Sequence, residues 1–284
     1  MIRNIHLLAL TSLAALFASG LNAASREEAR VTQVSKDVQL VDPNGAARPA
    51  LANDIVSEKT VLRTGSDSRA ELTFSDQTVV RLAANTSLSF KDGTRSLNLS
   101  EGAVLVQAPK KAKRAKIQGE GISAAIKGTT VMFEYHPGVC KFLVLEGTGR
   151  LYRPGHLGDS VLVGPGQMVI GNPNSAVSDP VDFDINRFVK TSHFIVDLPP
   201  LGSEKLIASA SEKQVREKSK KNLIDTNLVI FGGGTLVSLT NPVAEKAGNP
   251  AAADMGRATA QSSTPTPVPS PSPSPSPEAA ESRL

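Results

Sequence analysis

The chain has 284 residues, a formal net charge of +4 and 40% hydrophobic residues, which is enough apolar material for a folded core. Aromatic residues make up only 4%, with no Trp and two Tyr, and this weighs against a protein that stacks sugars or bases on aromatic platforms. The modest excess of positive charge does not indicate a nucleic-acid partner, and a single cysteine excludes an internal disulfide.

The first residues have the pattern of a secretory signal peptide. Arg3 precedes an almost unbroken apolar run from Leu7 to Ala18, and small residues follow as far as Ala24. This run is about a dozen residues long, whereas a membrane-spanning helix needs about 20. We therefore predict a cleaved signal peptide over residues 1–24, with no transmembrane helix after cleavage. The expected location is the periplasm, and secretion or association with the outer envelope are the alternatives. If the signal peptide is not cleaved, it would remain as a membrane anchor.

Residues 30–175 have the pattern of a β domain. Ala70, Leu72 and Phe74 alternate with polar residues, which is the period of a strand with one buried face. Turn sequences such as the one at residues 42–45 separate strand-like runs that recur about every 8–12 residues. This spacing predicts an all-β fold of stacked short antiparallel strands, either β-solenoid-like or a sandwich.

The character changes over residues 180–242, where we predict a mixed helix and strand extension. Four apolar residues recur near the helical period, after Asp182 or Asp184 as an N-cap; they are Phe183, Ile185, Phe188 and Val189. A polar helix from about residue 203 to 222 and two strands at 227–231 and 235–239 complete the segment. It is too small for its own core, so we expect this small helical C-terminal extension to pack on the β domain.

Residues 243–284 are rich in Ala, Pro and Ser. Proline alternates with Ser, Thr or Val from Ser262 to Pro277, and proline fixes φ and removes a backbone donor. We therefore predict a disordered Pro-rich tail that acts as a spacer.

The sequence shows no motif for catalysis, a cofactor or a metal. His136, His156 and His193 have no His or Cys neighbour at metal-ligand spacing, and no Gly-x-Ser-x-Gly elbow occurs. The glycines at 232–234 lack the Lys-Ser/Thr of a phosphate loop. We therefore predict a non-enzymatic protein, with a hydrolase whose site assembles from distant residues as an alternative. The neighbours of Cys140 alternate as in a strand, which predicts a buried structural thiol.

Two clusters of basic residues stand out. One lies between two strand-like runs and the other lies on the predicted polar helix, where acidic residues offset it; they comprise Lys110, Lys111, Lys113, Arg114 and Lys116, and Lys213, Arg216, Lys218, Lys220 and Lys221. Solvated surface is one interpretation of each cluster. Contact with anionic envelope polymers or phospholipid headgroups is the other.

Five short motifs follow one another between residues 55 and 170. The first is Thr64-Gly65, then the alternating strand and Asp76-Gln77-Thr78; the later ones are Leu97–Gly102, Ile126–Thr129, Val144–Gly147 and Gly164–Gln167. In this order they resemble the FecR domain family. The resemblance and the turn chemistry imply structural turn roles, rather than catalytic ones, for ten residues. These are Thr64, Gly65, Asp76, Glu101, Gly102, Gly128, Thr129, Glu146, Gly147 and Gly166.

The family includes periplasmic parts of regulators that sense an outer-membrane receptor and signal to an anti-sigma or sigma factor. The resemblance therefore implies an exported binding or sensory module whose partner is a protein or an anionic envelope polymer. The alternative is a structural envelope protein that is tethered through its Pro-rich tail.

Overall fold

A computed structural model describes residues 29–91, 95–217 and 223–224. Of these residues, 48% are strand and 13% are helix, so the predicted β-rich class with a small helical extension is confirmed. Within the described part of the chain, no helix combines the length and the apolar character that a membrane span requires. The predicted signal peptide, the strands at 227–231 and 235–239 and the tail at 243–284 lie outside the described residues.

Seventeen strands and three helices occur in the described residues. The strands are β1 (Ala29–Ser35), β2 (Val38–Val41), β3 (Ala47–Pro49), β4 (Ile55–Val56), β5 (Val61–Thr64), β6 (Arg69–Phe74), β7 (Val79–Leu82), β8 (Ser87–Lys91), β9 (Ser96–Ala108), β10 (Ala115–Gly119), β11 (Ile122–Ile126), β12 (Thr129–His136), β13 (Val139–Glu146), β14 (Gly149–Tyr152), β15 (Ser160–Val163), β16 (Gln167–Gly171) and β17 (Val181–Asp182). The helices are α1 (Ile185–Thr191), α2 (His193–Val196) and α3 (Glu204–Glu217).

The strands form one continuous hydrogen-bonded sheet that folds into two layers at β9. The first half of β9 pairs with β8 and β10, and its second half pairs with β7 and β12. The outer sheet has the order β3-β2-β5-β8-β9-β10-β11-β14-β15. The central sheet has the order β4-β1-β6-β7-β9-β12-β13-β16-β17. All of these strand pairings are antiparallel except that of β9 with β10, so the predicted antiparallel stacking takes the form of a sandwich.

The main core lies between the two sheets. Inward-facing residues of both layers fill it, and the rings of Phe133 and Phe142 meet edge to face with centroids 6.2 Å apart. Cys140 belongs to this core and is 1% exposed, which confirms the prediction of a buried thiol. Burial raises the pKa of the Cys140 thiol to about 12, so it stays protonated and packs as a small apolar group.

The helical extension covers the face of the central sheet that points away from the outer sheet. Its apolar residues pack on apolar residues of β9, β12, β13 and β16 in a second core. This core includes Phe183, Ile185, Phe188, Phe194, Leu201 and Ile207 from the extension and Leu105, Met132, Leu143, Leu145 and Met168 from the sheet. Asp184 caps α1 by accepting a hydrogen bond from the backbone N–H of Arg187.

Strand β6 is buried on both faces, although its alternation of apolar and polar residues indicated one buried face. Ala70, Leu72 and Phe74 face the main core as the period of two indicates, but Glu71 on the opposite face is only 8% exposed. The alternation predicted a wet face there. The extension buries that face instead, so its polar groups need partners within the protein.

Arg81 provides those partners and fastens the extension to the sheet. Its side chain is 1% exposed, and its Nε donates to Oε2 of Glu71 at 2.8 Å. One terminal nitrogen donates to the carbonyl of Phe194 at 2.5 Å, and the other donates to the carbonyl of Pro199. A buried guanidinium therefore joins two neighbouring strands to the chain around α2.

Truncation of the Arg81 side chain tests how much its hydrogen bonds and its ion pair stabilise the protein. We expect Arg81→Ala to lower the free energy of unfolding by about 3–5 kcal/mol, because it leaves the Glu71 carboxylate buried without its counter-ion. Urea denaturation followed by circular dichroism measures the change. Arg63→Ala, at an exposed arginine of β5, is the control and should stay within about 0.5 kcal/mol. An equal loss in both variants would contradict the anchoring role of Arg81.

Candidate binding surface

Two of the five motifs meet where the chain passes between the layers. Thr64 donates its hydroxyl hydrogen to the carbonyl of Ala83 at 2.5 Å, and its hydroxyl oxygen accepts from the N–H of Thr86 at 2.9 Å. Gly102 has a φ of +97°, and a Cβ at that position would lie 2.6 Å from Cα of Thr86. The motifs that contain Thr64 and Gly102 thus hold a tight crossing, and the neighbouring Glu101 is exposed.

Two further motifs meet at the turns before β12 and after β13. The hydroxyl of Thr129 donates to the carbonyl of Glu146 at 2.6 Å. Gly147 has a φ of +77°, and a Cβ there would lie 2.8 Å from the carbonyl oxygen of Gly128. Gly166 lies elsewhere, against α3. The motif residues therefore form separate groups along the rims of the sheets and converge on no common cleft, and their structural role remains a prediction.

Asp76 links its turn to the first basic cluster. Its carboxylate accepts from the N–H of Thr78 at 3.0 Å, from the N–H of Lys113 at 3.2 Å and from the guanidinium of Arg95. Arg95 also lies 5.0 Å from the centre of the Phe74 ring. Burial raises the pKa of Asp76, but the hydrogen bonds from Arg95 and Thr78 outweigh burial, so the pKa lies below its usual value.

Seven cationic residues form a continuous surface, which we call the basic face. They lie on the β9–β10 loop, on β10, at the β11–β12 turn and on β14, and they are Lys110, Lys111, Lys113, Arg114, Lys116, Lys127 and Arg150. The loop touches the turn, because a Cβ on Gly128 would lie 3.0 Å from Cα of Lys110. Lys116 and Arg150 both pair with Ala125, from opposite sides of β11. Lys116, which the sequence placed among loop residues, thus lies on a strand.

Within the described part of the chain, no acidic side chain forms an ion pair, within 4.0 Å, with any of the seven side chains of the basic face. Six of the seven are exposed, and Lys116 is half-buried. Glu146 lies near Lys110, but it is buried, and its carboxylate accepts a hydrogen bond from the hydroxyl of Thr130 at 2.8 Å. The seven cations therefore give this face a net positive potential.

A concavity of about 440 Å³ adjoins the basic face at the β14–β15 hairpin. We call it the Tyr152 pocket. Its lining includes Arg150, Tyr152, Arg153, His156, Leu157 and Ser160. Arg150 donates to the hydroxyl of Ser160 at 3.0 Å, and the ammonium of Lys116 lies 5.7 Å from the centre of the Tyr152 ring. The one acid in the lining, Asp159, pairs with Arg153 at 2.9 Å. Sequence reasoning missed this pocket, because its residues carry no motif.

A second concavity of about 390 Å³ lies among the three helices, on the opposite side of the central sheet. Apolar residues such as Val189, Ile195 and Ile207 line most of it, and Glu204 and Glu212 lie at its polar side. Its charge is opposite to that of the Tyr152 pocket.

The three histidines in the described part of the chain stay apart from one another. His136 lies 3.5 Å from Glu134 and 3.7 Å from Glu101, and its hydrogen bond to Glu134 raises its pKa. His193 pairs with Asp197 at 2.8 Å, while His156 lines the Tyr152 pocket. In the ranges that the structure describes, no group of three or more His, Cys, Asp or Glu could hold a metal ion.

Comparisons with known proteins identify a family over part of the chain. Residues 60–148 match the family model described as FecR protein, which confirms the predicted resemblance over those residues. Two crystal structures, each of a candidate anti-sigma factor from Parabacteroides distasonis ATCC 8503, are similar to the chain. The first shows 14% identity and a TM-score of 0.39. The match covers 46% of this chain and 65% of that protein. The second shows 11% identity and a TM-score of 0.37 over 58% of this chain and 96% of that protein. The comparison with curated proteins found no match.

The contacts of Asp76 predict a pH dependence of stability. Its pKa is lower in the folded protein than in the unfolded chain, so its contribution is complete above the unfolded pKa of about 3.9 and is lost as the pH falls through the folded pKa. We expect Asp76→Asn to cost about 1–3 kcal/mol at pH 7, because charged hydrogen bonds are lost, and to cost less as the pH drops below about 4. Urea unfolding of both proteins from pH 3 to 7 measures the difference. Asp179→Asn, at an exposed carboxylate, is the matched control, and a difference for Asp76→Asn that grows at low pH would contradict the assignment.

Proposed function

We propose that this chain, whose residues 60–148 are a FecR family domain, is a non-enzymatic binding module of a sensory or regulatory system in the cell envelope. Its basic face docks an acidic partner, which is a protein or an envelope polymer. The observation that carries the proposal is the cluster of seven cations on the outer sheet and its loops that form no ion pair with an acid among the described residues. The signal-peptide pattern supports export to the periplasm as the setting.

The two faces of the sandwich differ in a way that supports this role. The central sheet is closed by the helical extension, and its buried charges are bonded within the protein, as in the pair of Arg81 and Glu71. The basic face lies on the β9–β10 loop, on β10 and β14 and at the β11–β12 turn, and none of its seven residues belongs to the core that packs the extension on the central sheet. An acidic partner would therefore bind there without any displacement of the extension.

Electrostatic docking has a recognisable dependence on salt. Exposed charges are screened over about 8 Å at physiological ionic strength, so the attraction between a basic face and an acidic partner weakens as salt is added. Clustered charges act mainly by raising the rate of association.

The loop lysines allow a direct test. We expect Lys110→Gln with Lys111→Gln and Lys113→Gln to weaken binding of the purified protein to immobilised poly-L-glutamate about tenfold or more, since three of seven attractive charges are lost. Biolayer interferometry at 50 and 200 mM salt measures the affinity. The matched control, Lys205→Gln with Lys213→Gln on α3, should bind like the wild type. The same variants should separate specific from unspecific partners in pull-downs from envelope extract. Equal binding by the triple variant and the wild type would contradict the proposal.

A further inference from the structure

One buried hydroxyl of the outer sheet has no partner. Ser123 on β11 is 0% exposed, and among the described residues its Oγ is the one buried side-chain nitrogen or oxygen without a hydrogen bond. Ile122 and Ala124 face the main core, so Ser123 points to the opposite side, away from the central sheet. Its cross-strand partner there is Tyr152. Because an unsatisfied buried hydroxyl costs about 1–3 kcal/mol, Ser123 indicates that a hydrogen-bond partner is missing beneath the surface next to Tyr152, although Ser123 itself does not line the pocket.

Two adjacent rows of side chains cross this part of the outer sheet. The first row consists of Lys116, Ala125 and Arg150, so its cations lie on alternate strands about 10 Å apart with a small residue between them. The second row carries hydroxyls and an amide and consists of Gln118, Ser123, Tyr152 and Ser160. A row of charge thus runs beside a row of neutral hydrogen-bonding groups, and both rows end at the Tyr152 pocket.

We propose that these two rows and the Tyr152 pocket bind an acidic polysaccharide whose sugars carry carboxylates. One sugar occupies the pocket against the Tyr152 ring, with its carboxylate near Arg150 and Lys116. Its hydroxyls meet the neutral row, and Ser123, which is covered in the protein alone, gains the partner that it lacks when the neighbouring side chains change rotamer on binding. This inference rests on the proposed function, since it names the kind of anionic partner that the basic face takes.

The chemistry of the rows favours a polysaccharide over a lipid surface or an acidic peptide. A sugar chain offers hydroxyls and carboxylates side by side, which matches the pairing of neutral and cationic rows. An anionic bilayer would require neither the hydrogen-bonding row nor a concave pocket. Leu157 is fully exposed at the hairpin tip, but it lines the same pocket, where it provides an apolar wall for a sugar ring.

The scarcity of aromatic residues fits this mode of binding. A neutral sugar is held mainly by stacking on several rings, and the chain has only two Tyr and no Trp. An acidic sugar needs fewer rings, because charge-assisted hydrogen bonds from Arg and Lys are about twice as strong as neutral ones. Tyr152 with its neighbouring Lys116 is therefore sufficient for one sugar position.

A comparison of polygalacturonate with its methyl ester distinguishes the effect of the carboxylate charge on binding from the effect of the sugar backbone. We expect the full chain to bind polygalacturonate in 150 mM salt, measured by biolayer interferometry, and to bind the methyl ester about tenfold or more weakly, since esterification removes the carboxylate charge. Arg150→Gln and Tyr152→Leu should each weaken binding of polygalacturonate about fivefold or more. Arg63→Gln, at an exposed arginine of the same outer sheet on distant β5, is the matched control and should leave the affinity unchanged.

Ser123→Ala adds a readout that a merely structural role would not move. The substitution removes a hydroxyl that is unsatisfied in the protein alone, so its thermal unfolding temperature should stay equal or rise. Its affinity for polygalacturonate should nevertheless fall about threefold or more, because a hydrogen bond made in the complex is lost. Equal affinity in Ser123→Ala and in the wild type would overturn the role of Ser123.

Other outcomes separate this inference from the proposed function. If poly-L-glutamate binds as tightly as polygalacturonate and Tyr152→Leu changes neither affinity, the sugar site is overturned while docking of acidic partners by the basic face stands. If phosphatidylglycerol vesicles bind and both polymers do not, the occupant is a lipid surface and the inference is wrong. If no anion binds at all, both proposals fail.

Discussion

Strand β9 belongs to both sheets, and the layout of the molecule depends on the point where it crosses between them. Gly102 lies at that point with a φ of +97°, against the backbone of Thr86. A side chain at Gly102 would be strained by its φ and would collide with Cα of Thr86 at 2.6 Å. Because the ladder of hydrogen bonds continues on both sides of Gly102, one strand fixes the distance and the angle between the layers. The core and the two outward faces follow from that geometry.

Within the described part of the chain, charged groups are paired within the protein on one outward face, whereas the cations of the basic face on the other are not paired with an acid. Beneath the extension, charged groups are bonded within the protein: Arg81 binds Glu71, and Lys141 lies 2.5 Å from Glu134. Charges that are removed from water require such partners, since their desolvation is costly. The basic face collects cations that form no ion pair with an acid within the described residues. The outer sheet therefore carries positive charge that the described acids do not pair, which is the charge that the proposed anionic partner would use.

The sequence allowed the β class and the positions of most strands to be predicted, because those signals are local. Alternation in β6 and glycine-containing turns are visible within a few residues. The continuity of β9 was not predicted, since residues 100–102 have the composition of a turn that separates two strands. In the structure the positive φ of Gly102 bends the strand without ending its pairing. The conformation of Gly102 thus determines that residues 96–108 form one continuous strand and not two separate strands.

The candidate site was harder to predict than the fold, for a physical reason. Arg150 comes beside Lys116 only because β11 pairs with both β10 and β14, and no local pattern shows that pairing. Ser123 has no sequence signal at all, since its significance lies in the absence of a hydrogen bond in the folded sheet. Only the first basic cluster, residues 110–116, was identified from the sequence, because like charges that are close together in the chain are visible without a structure.

The family motif and the basic face are physically connected through Asp76. The same carboxylate that bonds the turn after β6 also accepts the backbone N–H of Lys113, in the loop that carries much of the positive charge. Arg95 binds that carboxylate and Thr78, and it packs over Phe74, so the loop is tied to the main core through a charged group. The carboxylate that bonds this turn therefore also holds part of the basic face in place. In this protein, a change at Asp76 would alter the placement of the loop lysines without removing any charge of the basic face.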